Sequence, residues 1–477
     1  MRAVVIGGGL AGLTAAIGLA KAGHQVTVLE AKPRLGGATC SFSRDGLTVD
    51  TGQHVFLRCC TAYQDLLGTL GMTEHAPIQP RFDVTVLSPG GRTGRLRRTA
   101  LPGPLHMLPA LARYPFLTLS ERAVVGRAAL AMRRVKETDP AVDNVRFGDW
   151  LGARWQNEHA RRNLWDLFAV SSLNVNGDDA SLALAAVVVK TGLIGKNDAA
   201  DIGVPALPLG ELHGDAAARV LEKLGATIQL NAKVAAIHPA QPPVADPVGA
   251  EQNDPFRIEL GRGEAGDGGP ATIPADAVVL AVTPEQAAKL IPADALPSRT
   301  VSGWSGLGAS PILNVHVIYD RTVLDLPFAA AVNSPVQWIF DRTAISGLAT
   351  AGAQYLALSQ SAGDEWVERP VAELREIFVP ALADLLPKAR DANVAEFFVT
   401  RERRATFRQV PGSAALRPAA ATRLPGLVLA GAWTDTGWPD TMEGAVRSGL
   451  AAAAELEMYR TRSPQVTVNS DSLGVSP

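Results

Sequence analysis

The sequence predicts an α/β fold in which a discontinuous, Rossmann-like nucleotide-binding domain carries an inserted α+β domain. Apolar runs typical of buried parallel strands recur far apart in the chain, at 3–6, 277–282 and 427–431. Regions of helical or mixed pattern separate these runs. We therefore assign the nucleotide-binding domain to residues 1–75, 201–290 and 400–460, the inserted substrate domain to 76–200 and 291–399, and a disordered tail to 461–477.

The composition excludes several classes of protein. A chain of 477 residues with 47% hydrophobic content can bury a large core in more than one domain. A net charge of −2 gives no sign of nucleic-acid binding, so we expect a small-molecule partner. Cys40, Cys59 and Cys60 are too few and too close together for a disulfide framework, and neither a signal peptide nor a spanning segment is evident. We expect a cytoplasmic protein, and no metal site.

The first element is a strand, a glycine turn and a helix. The run 3–6 leads into Gly7-Gly8-Gly9-Leu10-Ala11-Gly12, and a helical pattern continues to residue 22. Gly7 permits the tight turn, Gly9 lets the backbone approach phosphates, and Gly12 brings helix and strand together. The free N–H groups at the start of the helix, around Leu10 and Ala11, face the anion. This pattern predicts that the chain binds a dinucleotide.

The second strand, residues 25–29, ends at an acid. Glu30 lies about 20 residues after the glycines, where a carboxylate accepts the ribose hydroxyls and disfavours a ribose phosphate. A basic and glycine-rich stretch follows, in which Ala31, Arg34 and Gly36-Gly37-Ala38 replace the ordinary continuation of a nicotinamide-binding unit.

The remaining elements follow from periodicity. The predicted strands lie at 226–230, 233–237, 256–260, 311–319 and 355–359, in addition to the runs named above. The predicted helices lie at 214–224, 371–386 and 443–459, and the region 76–200 is mostly helical in pattern.

Three further motifs identify a family. Residues 50–54 read Asp-Thr-Gly-Gln-His, residues 404–407 read Arg-Ala-Thr-Phe, and a glycine-rich motif spans 431–449. Together with the glycine turn, they resemble the hydroxysqualene dehydroxylases of bacterial hopanoid biosynthesis, which belong to the superfamily of amine oxidases and phytoene desaturases. The resemblance covers nearly the whole chain in motif order.

The resemblance implies noncovalent FAD. Glu30 would bind the adenosine ribose, Arg34 and residues 36–38 would line the pyrophosphate and flavin, and the backbone of Val234 would meet the adenine side. Gln53, Gly431, Thr434 and Met442 complete the implied FAD site, with Met442 under the flavin ring. Many relatives have an acid directly after the glycine at 431, where this chain has Ala432.

The implied reaction is reductive removal of an allylic hydroxyl from hydroxysqualene, with hydride from N5 of reduced FAD. Hydroxide leaves poorly, so a proton donor is needed. His54 is one candidate, although it is equally consistent with a histidine that shapes the flavin pocket. Asp435 is a second and Asp440 an alternative, and each also suits a turn or a cap. The electron donor that reduces FAD is unidentified.

A basic and apolar segment predicts contact with a membrane surface. Residues 92–136 combine nine arginines and few acids with leucines and other apolar residues. This pattern suits either a bilayer surface or an ordinary helical lid. Peripheral attachment to the inner face of the cytoplasmic membrane would let a long apolar isoprenoid substrate reach the flavin without crossing water.

Three rival functions remain open. A carotenoid desaturase or isomerase also handles a long polyene with noncovalent FAD. An amine oxidase usually has an aromatic residue just before the Met442 position, where this chain has Thr441. A flavin-binding assembly protein without turnover is the third.

Overall fold

The computed structural model describes residues 1–240, 254–261 and 271–462. Within these ranges lie nineteen strands: β1 Arg2–Ile6, β2 Gln25–Leu29, β3 Ser41–Arg44, β4 Leu47–Asp50, β5 Phe56–Leu57, β6 Asp83–Ser88, β7 Arg92–Arg97, β8 Ile202–Gly203, β9 Thr227–Gln229, β10 Val234–Pro239, β11 Phe256–Leu260, β12 Thr272–Ala275, β13 Ala277–Leu280, β14 Ser310–Tyr319, β15 Phe328–Ala331, β16 Trp338–Asp341, β17 Gln354–Gln360, β18 Val394–Thr406 and β19 Leu427–Leu429.

The same ranges hold fifteen α-helices: α1 Leu10–Lys21, α2 Thr61–Leu70, α3 Leu108–Arg113, α4 Leu119–Met132, α5 Pro140–Asp143, α6 Phe147–Gly152, α7 Glu158–Ala160, α8 Asp166–Leu173, α9 Leu182–Val188, α10 Ala216–Lys223, α11 Pro284–Leu290, α12 Ser298–Gly303, α13 Thr343–Ser346, α14 Val371–Leu385 and α15 Met442–Arg462. Wide π-helical turns adjoin some of them, at Arg161–Trp165, Val189–Leu193 and Gly210–Asp215.

A five-stranded parallel sheet carries the glycine turn. Its strand order is β19-β13-β1-β2-β9. Both faces are covered, which is why the central strands are continuous apolar runs. Ala3 and Val5 of β1 face α1 and α15, whereas Val4 and Ile6 face the three-stranded antiparallel sheet β10-β11-β12. The strands predicted for this sheet and the predicted α/β fold class are confirmed.

The second large sheet has seven strands in the order β18-β14-β17-β16-β15-β6-β7. All of its neighbours are antiparallel except β15 and β6. One face packs against α14, through side chains such as Val315 and Val317 that contact Phe378. The other face turns toward the β3-β4 hairpin and the helices of residues 108–188. Strand β18 belongs wholly to this sheet and crosses the predicted boundary at residue 400.

The region 76–200 begins with a β-hairpin rather than a helix. Strands β6 and β7 form the edge of the seven-stranded sheet, so the prediction of a mostly helical region was wrong there. In β7 only Gly94 and Leu96 are buried, and all three arginines are exposed, so the apolar signal of the strand is weak. Helices α3 to α9 follow and share a core with the sheet face at Val86 and Phe340.

The C-terminal helix α15 ends at the limit of the described residues. Thr461 and Arg462 form its last residues, and the rest of the predicted tail, 463–477, lies outside the described residues. Among the helices that the structure describes, none is long and apolar enough to cross a membrane.

Candidate functional site

The glycine turn after β1 tolerates no side chains at two of its positions. Gly7 has a φ of +110°, and a Cβ placed there would lie 2.2 Å from the carbonyl oxygen of Ala281. A Cβ on Gly12 would lie 1.9 Å from the carbonyl oxygen of Gly7. Helix α1 begins after Gly9 with no side-chain cap and no acid in its first turn. Its first N–H groups are therefore free to bind an anion.

The loop after β2 packs directly on this turn. The N–H of Gly36 donates to the carbonyl of Gly8 at 2.8 Å, and a Cβ on Gly37 would lie 2.9 Å from Cα of Gly9. Glu30, at the end of β2, is buried and accepts hydrogen bonds from the N–H of Gly8 at 2.7 Å and of Lys32 at 2.8 Å. Two of the four acceptor sites of its carboxylate remain for a ligand.

The other predicted binding residues differ in how deeply they are buried. Leu10 and Ala11 are buried in the first turn of α1, and Val234 is buried at the start of β10. Gln53 is half-buried beside His54. The remaining three lie on the exposed side of the loop after β2: Ala31, Arg34 and Ala38.

The glycine-rich motif after β19 forms a tight turn around a buried arginine. Gly431 has a φ of +140°, and the Thr434 hydroxyl donates to its carbonyl at 2.9 Å. The guanidinium of Arg417 donates to the carbonyls of Ala432 at 3.0 Å and Thr434 at 2.6 Å. Burial lowers the pKa of Arg417. Sequence analysis missed this arginine, which holds the turn at the position where relatives have an acid.

Helix α15 begins at Met442, which is half-buried. Next to it, the buried carboxylate of Glu443 accepts from the backbone N–H groups of Ala62 at 3.2 Å and Tyr63 at 2.8 Å, at the start of α2. Arg447 also donates to Glu443, at 2.7 Å. An acid is favourable at a helix start because it meets the unpaired N–H groups, so Glu443 fixes the positions of two helix N-termini relative to each other.

A buried ion pair joins the Asp-x-Gly-Gln-His motif to the seven-stranded sheet. Asp50 Oδ2 lies 2.5 Å from a guanidinium nitrogen of Arg342, and both side chains are less than a tenth exposed. The other oxygen of Asp50 accepts from the Ser41 hydroxyl at 2.6 Å and from the N–H of Leu209 at 2.9 Å. The motif is thereby held rigidly between the two sheets.

His54 lies half-buried behind this pair. Its Nδ1 is 3.3 Å from the carbonyl oxygen of Gly52, which can only accept, so Nδ1 carries the hydrogen. Burial lowers the pKa of His54 below its usual value of 6.5. In the neutral form Nε2 is therefore an acceptor. His213, buried nearby with its Nε2 2.7 Å from the Tyr63 hydroxyl, has a pKa lowered by burial to about 3.

Asn314 lies beside the same motif and was missed by sequence analysis. Its side-chain nitrogen donates to the carbonyl of Thr51 at 3.2 Å, whereas its Oδ1 is buried without a partner among the described residues. A signal was present: within the predicted strand 311–319, Asn314 and His316 alternate with Leu313 and Val315, which places both polar side chains on one face.

The two candidate acids of the C-terminal motif differ in environment. Asp435 is exposed, and its carboxylate accepts from the N–H of Gly437 at 3.3 Å, as in a turn. Asp440 is half-buried, accepts from the N–H of Phe407 at 2.9 Å, and lies two residues before Met442. Burial raises the pKa of Asp440 to about 6.

Other residues of the predicted motifs have structural partners. The Trp433 indole donates to the carbonyl of Val282 at 2.9 Å and packs against Trp304, in the core. Arg404 is exposed and pairs with Glu285.

Comparisons with known proteins cover almost the whole chain. A family model described as flavin containing amine oxidoreductase matches residues 10–456. Hydroxysqualene dehydroxylase of Rhodopseudomonas palustris is 30% identical over 455 residues, which cover 94% of this chain and 96% of the relative. The 15-cis-phytoene desaturase of Solanum lycopersicum is 24% identical and covers 96% of this chain, which spans 78% of that protein. The solved structure of cyclohexylamine oxidase from Brevibacterium oxydans matches with a TM-score of 0.67 at 20% identity, over 96% of this chain and 99% of that one.

Proposed function

The chain belongs to the flavin containing amine oxidoreductase family and is a FAD-dependent oxidoreductase, and from that premise we propose that it removes the allylic hydroxyl of hydroxysqualene to give squalene. The observation that carries the proposal is its similarity, over nearly the full length of both chains, to a hydroxysqualene dehydroxylase.

The residues of the glycine turn fit FAD. The turn has no room for Cβ atoms at Gly7 and Gly12, and α1 presents uncapped N–H groups to a pyrophosphate. Glu30 has acceptor sites left for the ribose hydroxyls. We assign the flavin end to the space between Gln53, Thr434 and Met442. No cysteine follows residue 60 in the sequence, so a cysteinyl tether from the C-terminal half is excluded.

The reaction needs a hydride, a proton and an external electron donor. The chemistry that bound, reduced FAD supplies is hydride transfer from N5. The C–O bond of the substrate breaks, a C–H bond forms, and the hydroxyl takes up a proton and leaves as water. His54, Asp435 and Asp440 are the candidate donors. Asp440 suits the task best, because burial raises its pKa to about 6 and so keeps part of its carboxyl protonated near neutral pH.

The face of the seven-stranded sheet opposite α14 suits a long hydrocarbon. Its strands contribute Trp338, Phe340 and Val86, and helices α4, α6 and α8 close over them in one apolar cluster. The buried side chains of this cluster pack against one another, so we assign the hydrocarbon chain of the substrate to its partly buried border, at residues such as Val55, Leu57 and Trp338. Burying an isoprenoid there is favourable by about 0.8 kcal/mol per CH₂ group.

We also propose that one surface of the protein contacts an anionic bilayer. Leu101, Leu105 and Leu108 are each 44–46% exposed in the segment before and within α3, and Leu119 on the neighbouring α4 is 81% exposed. More of the positive charge of the segment is neutralised than the sequence indicated, because Arg95, Arg97 and Arg98 pair with acids outside the segment. The cations that remain without an ion pair to a described residue include Arg113, Arg133 and Arg134.

The second candidate function is a phytoene-type desaturase, which the similarity to the tomato enzyme favours. One experiment separates the two. The dithionite-reduced protein is incubated anaerobically with hydroxysqualene, and the oxidised protein with phytoene, and products are identified by mass spectrometry. Squalene with reoxidation of the flavin supports the dehydroxylase. A dehydrogenated polyene without squalene formation would move the protein to the desaturases.

A further inference from the structure

Asn314 carries an acceptor that nothing in the described protein satisfies. Its side-chain nitrogen donates to the Thr51 carbonyl, so the orientation of the amide is fixed and the free atom is the oxygen. That oxygen is fully buried. A buried acceptor without a donor is unfavourable, so such groups in native proteins have a partner or a functional reason.

Asn314 lies against the Asp-x-Gly-Gln-His motif, next to His54. A Cβ placed on Gly52 would lie 3.3 Å from Cε1 of His54 and 3.7 Å from Nδ2 of Asn314, so both side chains lie against Gly52. Because Nδ1 of neutral His54 donates to the Gly52 carbonyl, Nε2 is a second acceptor. The unpaired oxygen of Asn314, on a side chain next to a candidate proton donor, calls for a ligand group that donates a hydrogen.

The surroundings restrict the class of that ligand. Asn314 lies in a polar row across the sheet, directly opposite Ser359 on β17 and Thr400 on β18. The next row consists of Ala357, Phe340 and Phe398 beside His316. The hydroxyl of Thr400 is already engaged by His316 at 3.1 Å. A polar row of Ser359, Asn314 and Thr400 next to Ala357, Phe340 and Phe398 suits a long hydrocarbon with one hydroxyl.

We propose that Asn314 Oδ1 accepts the hydrogen bond of the substrate hydroxyl and so makes the site select an isoprenoid alcohol over the hydrocarbon without the hydroxyl. This inference rests on the proposed function. When Asn314 Oδ1 accepts this hydrogen bond, the lone pairs of the substrate hydroxyl oxygen stay free to receive the proton on which the reaction depends.

Binding to the oxidised holoenzyme, which does not turn the alcohol over, tests the assignment. Hydroxysqualene, its methyl ether and squalene are titrated while the perturbation of flavin absorbance is followed. We expect the alcohol to bind about tenfold or more tightly than squalene, because the unpaired acceptor is satisfied only by an O–H group. The ether has no hydrogen to donate and should bind like the hydrocarbon. Equal affinities of ether and alcohol would overturn the assignment without any variant.

Variants give a second test. Asn314→Leu keeps the volume and removes the acceptor together with the donor to the Thr51 carbonyl, so the dissociation constant of squalene divided by that of the alcohol should fall from about ten or more to about one. Thr400→Val removes a neighbouring hydroxyl that already has a partner, and should preserve the ratio. FAD content and melting temperature show that each variant is folded. An unchanged ratio in folded Asn314→Leu contradicts the inference, whereas failure of the reduced enzyme to form squalene contradicts the proposed function alone.

Discussion

At the scale of single residues, the buried pair of Asp50 and Arg342 should be costly to break. Arg342→Met leaves the Asp50 charge buried and uncompensated, which we expect to lower the free energy of unfolding by about 3–5 kcal/mol. Urea unfolding followed by circular dichroism measures this loss. The matched control is Arg321→Met, whose ion pair with Asp320 is exposed to solvent, so its loss should lower the free energy of unfolding far less. Equal losses in the two variants would show that the buried pair does not hold the motif.

Asp440 gives a prediction about pH. Only a protonated carboxyl donates a proton, and the protonated fraction falls tenfold per pH unit above its pKa of about 6. We therefore expect the single-turnover rate to be level below pH 6 and to decline above it. Asp440→Asn should reduce the rate about 10² to 10⁴-fold and remove that decline.

Asp435→Asn is the control for this assignment. Its exposed carboxyl caps a turn, so we expect the rate and its pH dependence to change little. If Asp435→Asn loses the activity and Asp440→Asn retains it, then Asp435 is the acid. If His54→Gln alone abolishes the decline, the proton comes from the histidine.

At the scale of elements, the contact of α1 with the glycine turn determines cofactor binding. Gly12→Ala would bring a Cβ within 1.9 Å of the Gly7 carbonyl and push the helix away from the turn. We expect the purified variant to contain little FAD, measured by its absorbance after gel filtration. Gly126→Ala in α4 has open space around the new Cβ, so it should keep FAD and gain stability of up to about 1 kcal/mol. Full FAD occupancy in Gly12→Ala would refute the assigned site.

The sequence predicted those elements whose residue types are determined directly by burial or by backbone geometry. The strands of the parallel sheet are buried on both faces and read as apolar runs, and the glycines of the turn are dictated by backbone clashes. The partner Arg342 of Asp50 lies 292 residues away, and Arg417 donates mainly to the backbone carbonyls of Ala432 and Thr434. Neither contact leaves a local pattern. Strand β7 of the β6-β7 hairpin has a weak pattern for another reason, since only Gly94 and Leu96 of its six residues are buried.

At the scale of the whole molecule, the three large apolar clusters are connected in a way that suits a buried reaction. Three parts of the molecule meet around residues 49–57: the nucleotide-binding sheet, the seven-stranded sheet and the helices of residues 108–188. Val49 packs on the seven-stranded sheet, and Phe56 packs on the nucleotide-binding core. Val55 and Leu57 contact the helical cluster. A substrate bound among these helices would have its reacting end close to His54 and Asn314.

In the proposed bilayer contact, the exposed leucines before and within α3 form the surface through which an apolar substrate enters. Changing Leu101, Leu105 and Leu108 together to Ser removes apolar surface that the fold does not bury, so the protein should remain folded but lose most of its binding to vesicles of anionic phospholipid in a sedimentation assay. Raising the salt concentration should weaken binding of the unchanged protein, because cations such as Arg113 and Arg133 contribute an electrostatic part that salt screens. The control changes Leu230 and Leu450 to Ser, two leucines 41% and 47% exposed in other parts of the molecule. Equal vesicle binding by both variants would mean that this surface does not dock on lipid, and that substrate reaches the flavin by another route.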